Sequence, residues 1–142
     1  MQGHKDLVVW QKAMDLVVAI YKLTKTFPKA EVYGLASQMQ RAAVSVPSNI
    51  PEGHGLKQTQ GYARHLAIAN GSLTELETQL EIARRLGYIT AENESLIDQA
   101  AEVGRMLAGL RRSLHSRIQD SGFGIQYRAI SDSGSGGSGP ES

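Results

Sequence analysis

Three observations predict an all-α fold, an antiparallel up-down-up-down four-helix bundle. Apolar residues recur at intervals of three and four through four segments of residues 1–119, the segments are joined by short links, and strand signals are absent throughout. The chain has 142 residues, 41% of them hydrophobic, which suits one modest domain with a real core.

In the first segment, Leu7, Trp10, Met14, Val17 and Tyr21 follow a 3-4-3-4 spacing that sets them on one helical stripe, widened by Val8, Val18 and Ile20. Phe27-Pro28 ends this helix, because the residue before proline is pushed out of the α region, and "PKAEVYG" is the connection. A second helix starts near Leu35 and carries Leu35, Met39, Ala42 or Ala43, Val46 and Ile50 at helical spacing, with alanines that let a neighbour approach closely. It meets Pro47, which removes a backbone donor and predicts a kink there, since an unaccommodated proline costs on the order of 3 kcal/mol.

The third helix is the clearest, with Tyr62, Leu66, Ala69, Leu73, Leu76, Leu80 and Ala83 at heptad spacing until Gly87 supplies a left-handed C-terminal position. The fourth opens after "YIT", with Thr90 as N-cap and Glu92 and Glu94 in the first turn, and continues through Leu96, Ala100, Val103, Leu107, Leu110 and Leu114. Residues 1–119 are thus the bundle and 120–142 a flexible Gly/Ser-rich tail. Within the tail, Phe123, Ile125, Tyr127 and Ile130 alternate as a short extended segment would, whereas "GSGGSG" has the composition of an artificial linker, so residues 133–142 carry no functional argument.

Between helices two and three, "SVPSNIPEGHG" poses a choice between a shaped turn and a phosphate cradle. A cradle needs glycines between a strand and a helix, closed by a lysine; no strand precedes Gly53 and Gly55. The shaped turn is the better reading, with Ser45, Ser48 and Asn49 satisfying backbone groups freed at Pro47 and Pro51 stiffening the next turn.

Composition removes several chemistries. There is no cysteine, hence no disulfide, thiolate metal site or cysteine nucleophile. A di-iron bundle needs Glu-x-x-His pairs, but Met1, Pro51, Tyr62 and Arg112 stand three residues before His4, His54, His65 and His115, so no metal or other cofactor is expected. Glu77 and Glu81 are spaced i, i+4, and Glu81 precedes Arg85 by four, which reads as a solvated ion-pair face. Glu52 or Glu75 can pair with Arg41, a structural salt bridge being favoured over acid/base catalysis because no nucleophile or cofactor loop accompanies them. No apolar window reaches membrane-spanning length and the N-terminus lacks the apolar stretch of a signal peptide, so a soluble, cytoplasmic protein without a membrane partner is expected.

Charge leaves one positive signal. Residues 1–119 hold 14 Lys and Arg against 11 Asp and Glu, a mild basic excess that points to an anionic partner. Lys5 and Lys12 share a heptad position, as do Arg105 and Arg112, while Lys57, Arg64, Arg84 and Arg85 belong to helix three or its approach. The ordinary reading of such residues is a solvated helix face; repeated around an oligomer they become a multivalent nucleic-acid surface.

"KDLVVWQKAMDLVVAIYKLTKTFP", "YGLASQMQRAAVSVPSNIPEGHG" and "GSLTELETQLEIARRLGYI" resemble, in this order, the opening helix, signature region and third helix of the family typified by the 23S rRNA intervening-sequence protein. The resemblance runs from residue 5 to about residue 116, and departs at Pro51, where the family usually has alanine before the Glu-Gly pair. It implies a small homo-oligomer, commonly a pentamer with a basic surface, a link to RNA or DNA, and no known catalysis. A relative with the same bundle is the accessory protein that assists the reverse transcriptase of diversity-generating retroelements.

The leading expectation is therefore a non-enzymatic oligomer that binds nucleic-acid backbone. The alternative is a protein adaptor, such as an accessory subunit of a reverse transcriptase; an enzyme has least support. Apolar residues on helix one beyond a single stripe, Val8, Val9, Val18 and Ile20 beside Leu7, Trp10, Met14 and Val17, point independently to self-association.

Overall fold

The computed structural model describes residues 4–50 and 60–119, with side chains from 8 to 50 and from 61 to 116. Four helices, α1 (His4–Thr24), α2 (Leu35–Ser48), α3 (Gln60–Arg85) and α4 (Ser95–Gln119), follow one another, with short 3₁₀ turns at Lys29–Glu31 and Ala91–Asn93. Each helix packs on the next and α4 closes the square against α1, so one core runs down the middle. No helix among the described residues is long and apolar enough to cross a membrane.

The stripes expected for helices three and four are the ones buried: Tyr62 through Ala83 and Leu96 through Leu114 all lie in the core. In α2, Met39, Ala42, Ala43, Val46 and Ile50 are buried and Leu35 is packed partly against them. Helix one corrects the expectation. Its buried row is Val9, Ala13, Leu16, Ile20 and Leu23, continued by Phe27, while Met14, Val18 and Tyr21 are exposed and Trp10 and Val17 are half-buried. Both rows have helical spacing, and the one that enters the core contains Ala13, which permits close approach, instead of the bulkier Trp10 and Tyr21.

The links are made by specific bonds. Gly87 adopts φ +81°, the N–H of Tyr88 reaches the Ala83 carbonyl at 2.9 Å and that of Gly87 the Arg84 carbonyl at 3.0 Å, the paired bonds of a Schellman cap. Tyr88 then packs on Phe27 with ring centroids 5.0 Å apart and donates its hydroxyl proton to Glu31 Oε2 at 2.9 Å. Accepting that bond, Glu31 raises the phenol's pKa. The other oxygen of Glu31 accepts the Leu35 N–H at 3.2 Å, supplying the start of α2 with the cap that Gly34 has no side chain to make. Thr90 caps the short 3₁₀ turn without a side-chain hydrogen bond to backbone, and α4 begins only at Ser95, because a 3₁₀ turn occupies the residues expected as its first turn.

Pro47 lies buried inside the last turn of α2, which ends one residue later. Ser48 Oγ donates to the Val44 carbonyl at 2.7 Å and Asn49 Nδ2 to the Ser45 carbonyl at 2.8 Å, so short polar side chains bond carbonyls of the last turn, other than the Ala43 carbonyl whose usual donor Pro47 lacks. Pro51, Glu52, Gly53, His54, Gly55 and Lys57, and the tail from 120 to 142, lie outside the described residues.

Three substitutions test this arrangement. Ile20→Ala should cost about 2–5 kcal/mol in urea unfolding, the range for emptying a packed core site, whereas Val8→Ala, at a position expected from sequence to be apolar-facing but 38% exposed, should cost less than about 1 kcal/mol. Pro47→Ala should change stability or assembly geometry with anion binding intact; selective loss of binding in an unchanged oligomer would make the turn a site.

Candidate nucleic-acid interface

The antiparallel order gathers the starts of α1 and α3 and the ends of α2 and α4 at one end of the bundle. Segments 4–15, 46–48, 60–70 and 107–119, which make up that half, carry six Lys and Arg against two Asp; the other half, segments 16–45 and 71–106, carries seven against eight Asp and Glu. Charge is therefore segregated along the axis although the whole chain is nearly neutral. Four residues proposed from the sequence belong to the basic half: Lys5 and Lys12 in α1, Arg64 in α3 and Arg112 in α4. Arg64 and Arg112 are exposed; the side chain of Lys5, like all of Lys57, is outside the described residues. Lys12 Nζ lies 3.5 Å from Glu102 Oε2 with both side chains about half exposed, the sort of pair that contributes little and exchanges readily with a competing anion.

Arg84, Arg85 and Arg105 are not brought to that end. Arg105 is exposed on α4 within the acidic half. Arg84 and Arg85, at the far end of α3, are both engaged by Glu81: Arg84 donates through Nε and Nη2 at 2.9 and 2.6 Å, and Arg85 through Nε at 2.8 Å. The hydrogen bonds from Arg84 and Arg85 hold the Glu81 carboxyl down at about 2. Glu77 stands outside this fork, and partial burial raises its pKa. Heptad spacing selected pairs along one helix and so passed over Arg111 and Arg117, which belong to the same end as Arg64 and Arg112; counting charge by helix end would have found them.

A groove of about 260 Å³ between α2 and α3 is lined by Gln38, Arg41, Ala42, Ser45, Ser72 and Glu75. It brings Arg41 and Glu75 together, yet each has a local partner: Arg41 Nη1 donates to Ser37 Oγ at 2.9 Å and Glu75 Oε2 accepts from Gln79 Nε2 at 3.4 Å. Ser45 and Ser72 share a hydrogen bond of 2.7 Å, and His65 Nδ1 lies 3.0 Å from Asn49 Oδ1. These contacts stitch α2 to α3. Among the described residues, no three His, Asp or Glu side chains are grouped to hold a metal ion.

The Glu81 fork sets a pH dependence. Its folded pKa lies below the ordinary 4.5, so the stabilisation is complete above that value and is lost as pH falls towards 2. Carboxyl NMR should place the Glu81 midpoint near 2, and Arg84→Ala together with Arg85→Ala should return it to the usual carboxylate range.

Comparison with known proteins agrees with this architecture. No match is found among curated proteins. A crystal structure of a protein of unknown function from the S23 ribosomal protein family of Bacteroides thetaiotaomicron is similar, with 26% identity and a TM-score of 0.67, covering 76% of this chain and 98% of that one. The family profile described as 23S rRNA-intervening sequence protein matches residues 5–109, nearly all of the four packed helices, and the chain belongs to that family.

Proposed function

We propose that the chain is a non-enzymatic, cytoplasmic, homo-oligomeric bundle, a pentamer in the form the family resemblance implies, that binds the phosphate backbone of RNA or DNA with its basic end. The observation that carries this reading is the axial segregation of charge, with Arg64, Arg111 and Arg112 exposed at one end and the acidic residues concentrated in the other half. One subunit offers too few cations for firm binding, but an oligomer repeats them at fixed spacing, and the second and later contacts become intramolecular. Base stacking has little to work with there: Tyr62 is buried in the core and Trp10 is half-buried against it. Binding should follow the backbone and be indifferent to sequence.

A protein partner, of which a reverse transcriptase is the case implied by the resemblance, is favoured by a different feature. Val32 and Tyr33, 50% and 96% exposed, present an apolar tip at the opposite end of the bundle. Co-purification of a polymerase, lost on Tyr33→Ser, would support that reading.

Salt titration of binding to single-stranded and duplex RNA and DNA, with oligomer of verified mass, tests the nucleic-acid reading. The slope of log affinity against log salt should be roughly −0.7 to −0.9 per phosphate neutralised. Arg111→Glu with Arg112→Glu should weaken every sequence alike, while Arg84→Glu with Arg85→Glu, at the other end, should have a much smaller effect. Absence of binding at about 50 mM salt, where screening is weak, rejects it.

A further inference from the structure

Opposite charges line the groove between α2 and α3, in the half of the bundle away from the basic end. The Ser45–Ser72 hydrogen bond of 2.7 Å fixes the antiparallel register, so Glu75, one turn beyond Ser72, comes opposite Arg41 and Ala42, and Gln79 comes opposite Gln38. Arg41 and Glu75 face the groove from two helices and, among the described residues, form no ion pair with one another. Both keep bonding capacity. Arg41 gives Nη1 to Ser37, which leaves most of the guanidinium donors, and Glu75 receives a bond of 3.4 Å, at the long limit, from Gln79 Nε2. Gln79 is 5% exposed, and its Oε1 is buried with no hydrogen-bond partner among the described residues. Asn49 Nδ2 donates to Ser45 Oγ at 3.3 Å, which turns the Ser45 proton towards Ser72 and frees the Ser72 proton for an acceptor in the groove.

We propose that this groove binds a small zwitterion of the α-amino acid class, its carboxylate held by Arg41 and the Ser72 hydroxyl and its ammonium by Glu75 and the Gln79 carbonyl. Amino-acid binding here is independent of phosphate binding at the basic end. The groove, about 260 Å³, falls below the roughly 300 Å³ at which most small-molecule sites begin, so it admits one amino acid and no nucleotide. Charge selects the class. A lone anion on Arg41 would face the Glu75 carboxylate across the groove, and a lone cation on Glu75 would face the guanidinium. A molecule with both charges satisfies both walls through charge-assisted bonds, which are stronger than neutral ones. The ammonium takes the place of the Gln79 amide on Glu75. That amide then turns about its terminal torsion, which has no sharp staggered preference, and Oε1, left without a partner by the fold, accepts a second bond from the ammonium. Ala42, 5% exposed, gives the groove its apolar floor.

Isotope-edited NMR of the full chain, titrated with each standard amino acid in turn, tests the site. At least one should move the backbone signals of Ser45 and Ser72 and the side-chain amide of Gln79, with Arg64, Arg111 and Arg112 undisturbed. Arg41→Gln and Glu75→Gln, both at exposed positions, should keep the circular-dichroism spectrum and melting curve of the wild type. Each should weaken that amino acid about tenfold or more, the loss expected from one hydrogen bond to a charged group. The same amino acid stripped of its amino group, and the same amino acid stripped of its carboxyl group, should each lose a similar factor on the wild-type chain, a measurement that decides the matter even where a variant fails to fold. A chain that answers no amino acid, an acid or an amine that binds as tightly as the parent amino acid, or full affinity in either folded variant would overturn the zwitterion site. None of these results would alter salt-dependent binding of RNA or DNA at the basic end, so the two readings fail separately.

Discussion

Each helix of a four-helix bundle can turn only one apolar stripe to the shared core, and this geometric limit governs the molecule. For α3 and α4 the core stripe is supplied by about one apolar residue per turn, all of them buried, although Ile68, Ile82 and Leu86 remain exposed on or just beyond α3. For α1 the limit is exceeded. The Val9, Ala13, Leu16, Ile20 row takes the core and excludes a second row of comparable hydrophobicity, which includes Met14, Val18 and Tyr21. Burying both within one subunit would require a fifth element on that flank, and among the described residues there is none.

The orientation of α2 rests less on its apolar stripe than on polar bonds along both edges. It is the shortest of the four helices, carries a proline in its last turn and has no side-chain cap of its own at Gly34. Gln40 bonds Thr24 on the α1 side, Ser45 bonds Ser72 and Asn49 meets His65 on the α3 side, and Glu31 caps its start while receiving Tyr88 from beyond the end of α3. Such bonds contribute about 1 kcal/mol each, but their directionality fixes rotation and register, which the small side chains of Ala36, Ala42 and Ala43 leave loosely specified.

These limits explain what the sequence discloses. Spacing alone identifies the buried faces of α3 and α4 and the Glu81–Arg85 pair, because each is a local relation between residues three or four apart. The phase of α1 is undecided at that level: Leu7-Trp10-Met14-Val17-Tyr21 and Val9-Ala13-Leu16-Ile20-Leu23 obey the same period, and the choice is made by packing against α2 and α4. The basic end is hidden for the same reason. Lys5 with Lys12 and Arg105 with Arg112 stand out as heptad repeats, whereas the association of Arg64 with Arg111 and Arg112 exists only once the helices have folded back on one another. Combining helix direction with charge would have recovered it, since the start of α3, with Arg64, and the end of α4, with Arg111 and Arg112, meet at one end of an antiparallel bundle.

The axial charge and the lateral apolar rows are also geometrically independent, and this bears on how assembly and anion binding combine. A ring whose rotation axis runs along the bundles would bring every basic end to one rim and every Val32–Tyr33 tip to the other. A two-fold contact made by one flank on itself, with the axis perpendicular to the helices, would instead send the basic ends in opposite directions and forfeit the multiplicity on which the proposed phosphate binding depends. The charge gradient within one subunit thus favours a cyclic arrangement for the proposed oligomer, for a reason that does not involve the exposed apolar residues at all.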